Sequence, residues 1–165
     1  MHARRNLLAL CSALAALLAA CASDIDVSTT VDPLASFPAQ ATYVWDEATI
    51  RLPADPRIRQ LDPNSLIREA ANAELAARGY RLAAGGPAPY RLAYDFQVHT
   101  WHGPDDSSSV GSLSLWLTDA EKRRVWMGYA RAEIYVGLSH EERVARLREA
   151  IARMLAHFPP KQRGK

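Results

Sequence analysis

Apolar and polar residues alternate along this chain in three rhythms. From Leu7 to Leu18 the run carries no charge at all. Further on, Ile25, Val27, Thr29 and Val31 take every second position, which predicts a first strand. Asp32-Pro33 and Phe37-Pro38 interrupt it, and Thr42-Tyr43-Val44-Trp45 predicts a second, short strand. Residues 46–60, with Pro53 and Pro56 among mixed charges, predict a surface loop. The rhythm then becomes helical. Asp62 can cap free amides and Pro63 needs no donor at a first helical position, so a helix is predicted over 63–78 with a stripe of Leu66, Ile67, Ala70, Ala71 and Leu75. Gly79 supplies its left-handed stop.

Tyr80 to Leu82 predicts a short extended piece, and Gly85-Gly86-Pro87 with Pro89 a turn. The strongest strand signal follows, with Tyr90, Leu92, Tyr94, Phe96 and Val98 on one face and Arg91, Ala93, Asp95, Gln97 and His99 on the other. Gly103 to Ser109 predicts a polar loop. Leu113, Leu115 and Leu117 then alternate with Ser112, Ser114 and Trp116, Asp119 to Arg123 predicts a turn, and Trp126, Gly128, Ala130, Ala132 and Ile134 share one face small enough for a helix to pack closely. Ser139-His140-Glu141-Glu142 is a capping box opening a helix with Val144, Leu147, Ile151, Leu155 and Phe158 at helical spacing, ended by Pro159-Pro160. The order β-β-α-β-β-β-α predicts an α+β fold: a twisted, mainly antiparallel sheet with two helices packed on one face.

The charge-free run has a separate meaning. Arg4 and Arg5 precede it and the small residues Ala19-Ala20 follow, the order of a secretory signal peptide, and its twelve residues are too few to span a bilayer. Leu18-Ala19-Ala20-Cys21 resembles the lipobox of bacterial lipoproteins, which implies cleavage between Ala20 and Cys21 and acylation of Cys21. Cys11 lies inside the apolar run, where a cut would leave a hydrophobic segment behind. Arg4-Arg5 also resembles a twin-arginine export signal, but paired basic residues are ordinary in signal peptides. Residues 1–20 are therefore expected to be a cleaved lipoprotein signal peptide, 21–24 the lipidated terminus and tether, 25–160 a single domain, and 161–165 a basic tail. Ala22 stands where the resemblance would put an inner-membrane retention Asp, so the expected place is the periplasmic leaflet of the outer membrane. Such an anchor makes the membrane the first partner.

Losing residues 1–20 leaves 18 basic and 18 acidic side chains, and this neutrality argues against a nucleic-acid partner. With Cys21 acylated no free thiol remains for a disulfide or a cysteine metal site, so the core alone holds the fold. The mature 145 residues suffice for one such domain.

Beyond these patterns, Phe37 before Tyr43-Val44-Trp45, Glu74-Leu75-Ala76-Ala77-Arg78-Gly79-Tyr80 and Ala93-Tyr94-Asp95-Phe96 come in order with Gly111-Ser112-Leu113 and Asp119. Val125-Trp126-Met127-Gly128-Tyr129-Ala130 and Ala150-Ile151 to Phe158-Pro159-Pro160 complete the series. In these pieces the chain resembles a bacterial lipoprotein family sharing a domain of unknown function, numbered four-one-three-six. The resemblance implies an α+β periplasm-facing domain on a lipid anchor and supplies no catalytic residues.

Candidate chemistry is sparse. His99, His102, Asp105 and Asp106 lie close in sequence and have the donor types for a divalent metal, but a strand points His99 and His102 to opposite faces, and Gly-Pro-Asp-Asp-Ser makes a turn without metal. Ser107 to Ser109 beside His102 and Asp105 offer hydrolase residue types without the rigid elbow that activates a serine. Trp101 and Trp116, on the face away from the helices, are candidates for binding a partner, with a second small core as the alternative. Arg143, Arg146 and Arg153 could meet lipid phosphates or anionic wall polymer, but Glu142 and Glu149 stand four residues before Arg146 and Arg153 and make ordinary surface pairs, so a solvated helix face is expected. The expectation is a non-enzymatic lipoprotein with no cofactor, no metal and no catalytic residue, binding an envelope protein or cell-wall partner. The alternative is an envelope hydrolase or metal-binding protein using the His99, His102 and Asp105 region.

Overall fold

In a computed structural model the described residues are 24–54, 58, 60–102, 107–135 and 137–159. They form six strands and two helices: β1 (Asp26–Val31), β2 (Ala41–Trp45), α1 (Pro63–Ala76), β3 (Tyr80–Leu82), β4 (Tyr90–His102), β5 (Ser107–Thr118), β6 (Arg124–Glu133) and α2 (His140–Leu155). One mixed sheet takes all six strands in the order β1-β6-β5-β4-β2-β3. The meander of β4, β5 and β6 is antiparallel, and β1 joins it antiparallel along β6. β2 is inserted parallel to both β4 and β3, so residues 83–89 carry the chain from one side of β2 to the other.

Helix boundaries follow local chemistry. Asp62 caps α1 from a left-handed conformation (φ 44°) and its carboxylate accepts from the Ser65 amide at 3.4 Å. Gly79 ends the turn after α1 at φ 86°, where a Cβ would collide with the Ala39 carbonyl oxygen. The capping box of α2 is complete: the Glu142 amide donates to Ser139 Oγ at 3.2 Å, and the Ser139 amide donates to Glu142 Oε2 at 2.7 Å.

Both helices cover one face. From α1, Ile67, Ala71 and Leu75 are buried there, and from α2 Ile151, Met154 and Leu155, against Leu92, Leu115 and Leu117 of the sheet. Phe158, just beyond α2, gathers Phe37, Tyr80 and Trp126 around its ring at centroid distances of 5.6, 4.9 and 5.2 Å. Sequence pieces far apart in the chain thus meet in one aromatic cluster. Tyrosines in this core keep their hydroxyls partnered. Tyr43 donates to Asn72 Oδ1 and Tyr94 to Asn64 Oδ1, both at 2.6 Å, while Tyr80 and Tyr90 donate to the Pro38 and Ser36 carbonyls. Burial pushes the Tyr43 and Tyr80 phenols up to about 12, since desolvation penalises the phenolate.

Three expectations change. Ser107 to Ser109 belong to β5 rather than to a loop, because Ser109 pairs with Thr100 and their hydroxyls lie 2.9 Å apart, 8% of Ser109 being exposed. Tyr80–Leu82 is a true edge strand, completed by its parallel partner β2. Residues 46–51, expected as surface loop, line β4: the Asp46 amide donates to the Leu92 carbonyl, the Arg51 amide to that of Tyr94, and Phe96 returns a bond to Arg51.

Candidate functional site

Sheet parity gives the helix-free face its composition. Odd positions of β4 and even positions of β5 look away from the helices, since Leu92 and Tyr94 face Leu117 and Leu115 in the core. Along β4 this face presents Asp95, Gln97, His99 and Trp101 in a row. Gln97 Nε2 donates to Asp95 Oδ2 at 2.7 Å, His99 Nε2 lies 3.1 Å from Gln97 Oε1, and the His99 and Trp101 rings are 6.2 Å apart. With Ser112, Tyr129 and Arg131 from the neighbouring strands they line a depression of about 350 Å³. It offers a carboxylate, an amide, an imidazole, an indole and a guanidinium within one wet hollow, groups that hold a polar ligand through hydrogen bonds and ring stacking.

Trp116 shares that face but not that hollow. It pairs across the strands with Ala93, whereas Trp101 pairs with Ser108, so eight residues of β5 separate the two positions, about 27 Å along the strand. Trp116 is half-buried under the Arg124 guanidinium, 5.2 Å from its ring centre, while Trp101 is 52% exposed. The two candidate aromatic positions therefore belong to separate surfaces.

The metal and hydrolase constellations gain little. His99 and His102 fall at positions of opposite parity in β4, opposite Val110 and Ser107. The His102 side chain and all of Asp105 and Asp106 lie outside the described residues, and among the described residues no three His, Cys, Asp or Glu converge as a metal cluster. Ser109 is turned to Thr100.

Cys21 and the Ala20 cleavage position also lie outside the described residues, as does the basic tail. Asp24, just before β1, is pinned. Its carboxylate takes Arg146 at 2.7 Å on one oxygen and the Tyr135 hydroxyl at 2.8 Å on the other. Arg146 also donates to the Glu133 carbonyl and lies over the Tyr135 ring at 5.4 Å. Hydrogen bonds from Arg146 and then Tyr135 hold the Asp24 carboxyl below its usual range. This is where Arg146 departs from the expected pairing: Glu142 is spent on the α2 cap, so the guanidinium turns to Asp24, whereas Arg153 keeps Glu149 at 3.6 Å. Spacing along one helix could not reveal a partner from the far end of the chain.

A second feature lay beyond the sequence reading. Between α2 and the sheet, Ile25, Phe96, Leu113, Ala132 and Leu147 line an apolar cleft of about 100 Å³. Its floor is open because Gly111, Ala130 and Ala132 are small. No helix among the described residues is long and apolar enough to cross a membrane.

The fold and this site define a class: an α+β domain with two helices on one face of an open mixed sheet and a polar, aromatic face left uncovered. The chain belongs to the family described as "Domain of unknown function (DUF4136)", whose model matches residues 27–160. No match was found among curated proteins. Of solved structures, the PelC dodecamer from Paraburkholderia phytofirmans is 18% identical over 80% of this chain and 95% of that one, with a TM-score of 0.52. A PDZ domain protein from Parabacteroides distasonis ATCC 8503 is 13% identical with a TM-score of 0.56, covering 94% of this chain but 41% of that one. At these identities the likeness is one of fold.

Proposed function

We propose that this protein is a non-enzymatic lipoprotein, anchored through Cys21 in the periplasmic leaflet of the outer membrane, which binds an envelope protein or cell-wall strand on the helix-free sheet face. The observation that carries the binding reading is the row of Asp95, Gln97, His99 and Trp101 with Arg131 in one hollow. The anchor reading rests on the charged, apolar, small-residue order ending at Cys21. A fixed scaffold that presents polar and ring groups suits capture of an extended polar partner better than bond cleavage, since the serines lining the hollow, Ser112 and Ser114, stand on a regular strand without the strained elbow that activates a serine.

Two measurements test the reading. Membrane fractionation of wild type and Cys21→Ser should move the chain from the outer-membrane to the soluble fraction; a Ser variant still acylated and membrane-bound refutes the anchor. A photo-crosslinking residue at Ser112, in the hollow, should give a discrete adduct with one envelope component in cells. The same residue at Leu34, exposed beyond β1, should not. Equal or absent adducts at both positions refute the binding face.

A further inference from the structure

Asp24 and the start of β1 lie at one end of the sheet, and that end is identifiable strand by strand. Asp26 pairs with Arg131, Arg131 with Ser112, and Ser112 with Gln97, so these four lie at one level. Past that level β6 ends at Glu133, while β4 and β5 continue together as a two-stranded arm through Trp101 and Ser108 to His102 and Ser107. Trp101 stands four residues beyond Gln97, about 14 Å further along the strand direction. Asp24 stands two residues beyond Asp26, about 7 Å further. From Asp24 to Cys21 an extended chain spans at most about 11 Å.

Tether and arm therefore leave the same end of the domain with similar reach. The pinning of Asp24 by Arg146 and Tyr135 fixes where the tether departs, so the span from Cys21 to Asp24 bounds the distance to the lipid. The headgroup zone of a leaflet is about 5–7 Å deep, which the arm's lead of about 7 Å over Asp24 matches. The surface composition agrees. Among the described residues the large hydrophobic side chains left exposed are Leu34, Leu52, Leu82, Trp101 and Tyr135, and both aromatic ones lie at the tether end. Leu34 follows β1 and Leu82 pairs at the level of Tyr43 and Tyr90, the opposite end. Trp and Tyr, with an apolar ring and a polar handle, are the side chains that settle at a membrane–water boundary.

We infer that the sheet end bearing Trp101 and Tyr135 is a phospholipid-contacting surface, with the Trp101 indole seated in the headgroup layer of the membrane that holds Cys21. The inference rests on the lipid-anchor reading above. It assigns the β4–β5 arm a second role: Trp101 at its end touches lipid, and the hollow behind it, from His99 to Asp95, stands off the bilayer facing the periplasm.

The test uses the full acylated protein reconstituted into phospholipid vesicles carrying a bromine-labelled acyl chain, which quenches tryptophan emission on contact. Quenching is expected in the wild type, to be lost for the most part in Trp101→Phe, and to persist in Trp116→Phe. Trp101 is exposed, so its replacement should leave the far-ultraviolet spectrum and melting curve in place. If the protein is acylated, sediments with the vesicles, and Trp101→Phe quenches as wild type does, the lipid contact is refuted while the anchor stands. If mass measurement of the N-terminal peptide finds no acyl groups and the chain stays in solution, the anchor reading fails and this inference falls with it.

Discussion

Gly128 sets how closely α2 approaches the sheet, and enlarging it is a direct test of the packing. A Cβ built at this position would lie 2.8 Å from Trp126 Cη2, 3.1 Å from Cζ2 and 3.0 Å from Met154 Cβ. Two effects of Gly128→Ala oppose each other. Losing glycine's freedom in the unfolded chain favours the variant by about 0.4–1 kcal/mol. Overpacking a tight core costs about 1–3 kcal/mol. The clash wins because neither neighbour can yield cheaply: Met154 Cβ is fixed to the α2 backbone, and Trp126, 2% exposed, is held by Phe158 at 5.2 Å. We expect a net loss of about 1–2 kcal/mol for Ala and about 3 kcal/mol or more for Val. Urea unfolding of a chain beginning at residue 22 measures both, and melting should fall by roughly 3–4 °C for each kcal/mol. Leucine in place of Trp126 removes the nearest ring atoms, so Gly128→Ala should cost less on a Trp126→Leu background, whereas Met154→Ala keeps its Cβ and should bring no relief. An Ala variant as stable as wild type would show that the helix–sheet approach is not set by the missing side chain.

The other expectations are briefer. Asp62→Ala should destabilise by about 1–2 kcal/mol in urea, since it removes the α1 cap and leaves an alanine at φ 44°, whereas Asp62→Asn should stay close to wild type. Arg146→Ala should speed amide exchange and proteolysis at residues 24–27 while moving the global midpoint by less than about 1 kcal/mol, because the ion pair it breaks is partly exposed. Stability should fall at both pH extremes. Asp24 and Glu47 have folded pKa values below their ordinary 3.8 and 4.5, so what they add is complete above those values and is lost as pH drops through the lower folded ones. Tyr43 and Tyr80 are raised from 10.0 to about 12, so their share is complete below pH 10 and is lost as pH rises towards 12. Urea midpoints across pH, with tyrosinate absorbance on the alkaline side, check both; a flat alkaline limb would overturn the buried-phenol argument.

Elements whose signals are local were legible from residue order. The Ser139 capping box, the Gly79 stop and the alternation through Tyr94 and Leu115 each depend on residues a few positions apart, and each stands in the structure. What escaped depends on partners from elsewhere. Thr42 to Trp45 reads as a strand in any neighbourhood, so nothing in it announces parallel insertion between β3 and β4. Ser107 to Ser109 read as loop because serine favours turns, and the cross-strand contact with Thr100 overrides that preference. The candidate face was partly visible: alternation placed Asp95, Gln97, His99 and Trp101 together, while Tyr129 and Arg131 joined them only through register.

One pairing decides at which end of the sheet the chain enters the domain. Because β1 runs antiparallel to β6, β6 to β5 and β5 to β4, the start of β1 lies beside the end of β4. Had β1 added to the same edge in parallel, Asp24 would lie beside Val125, at the end of the sheet away from Trp101. Val27 and Val31 hold β1 in place by packing on the core, and Ile25, 2% exposed, holds its first turn beside the apolar cleft. A one-residue slip would turn these three outwards and expose apolar surface, so the register is strongly specified. On the lipid-anchor reading proposed above, the same alternation that makes β1 a strand also sets which end of the sheet faces the bilayer.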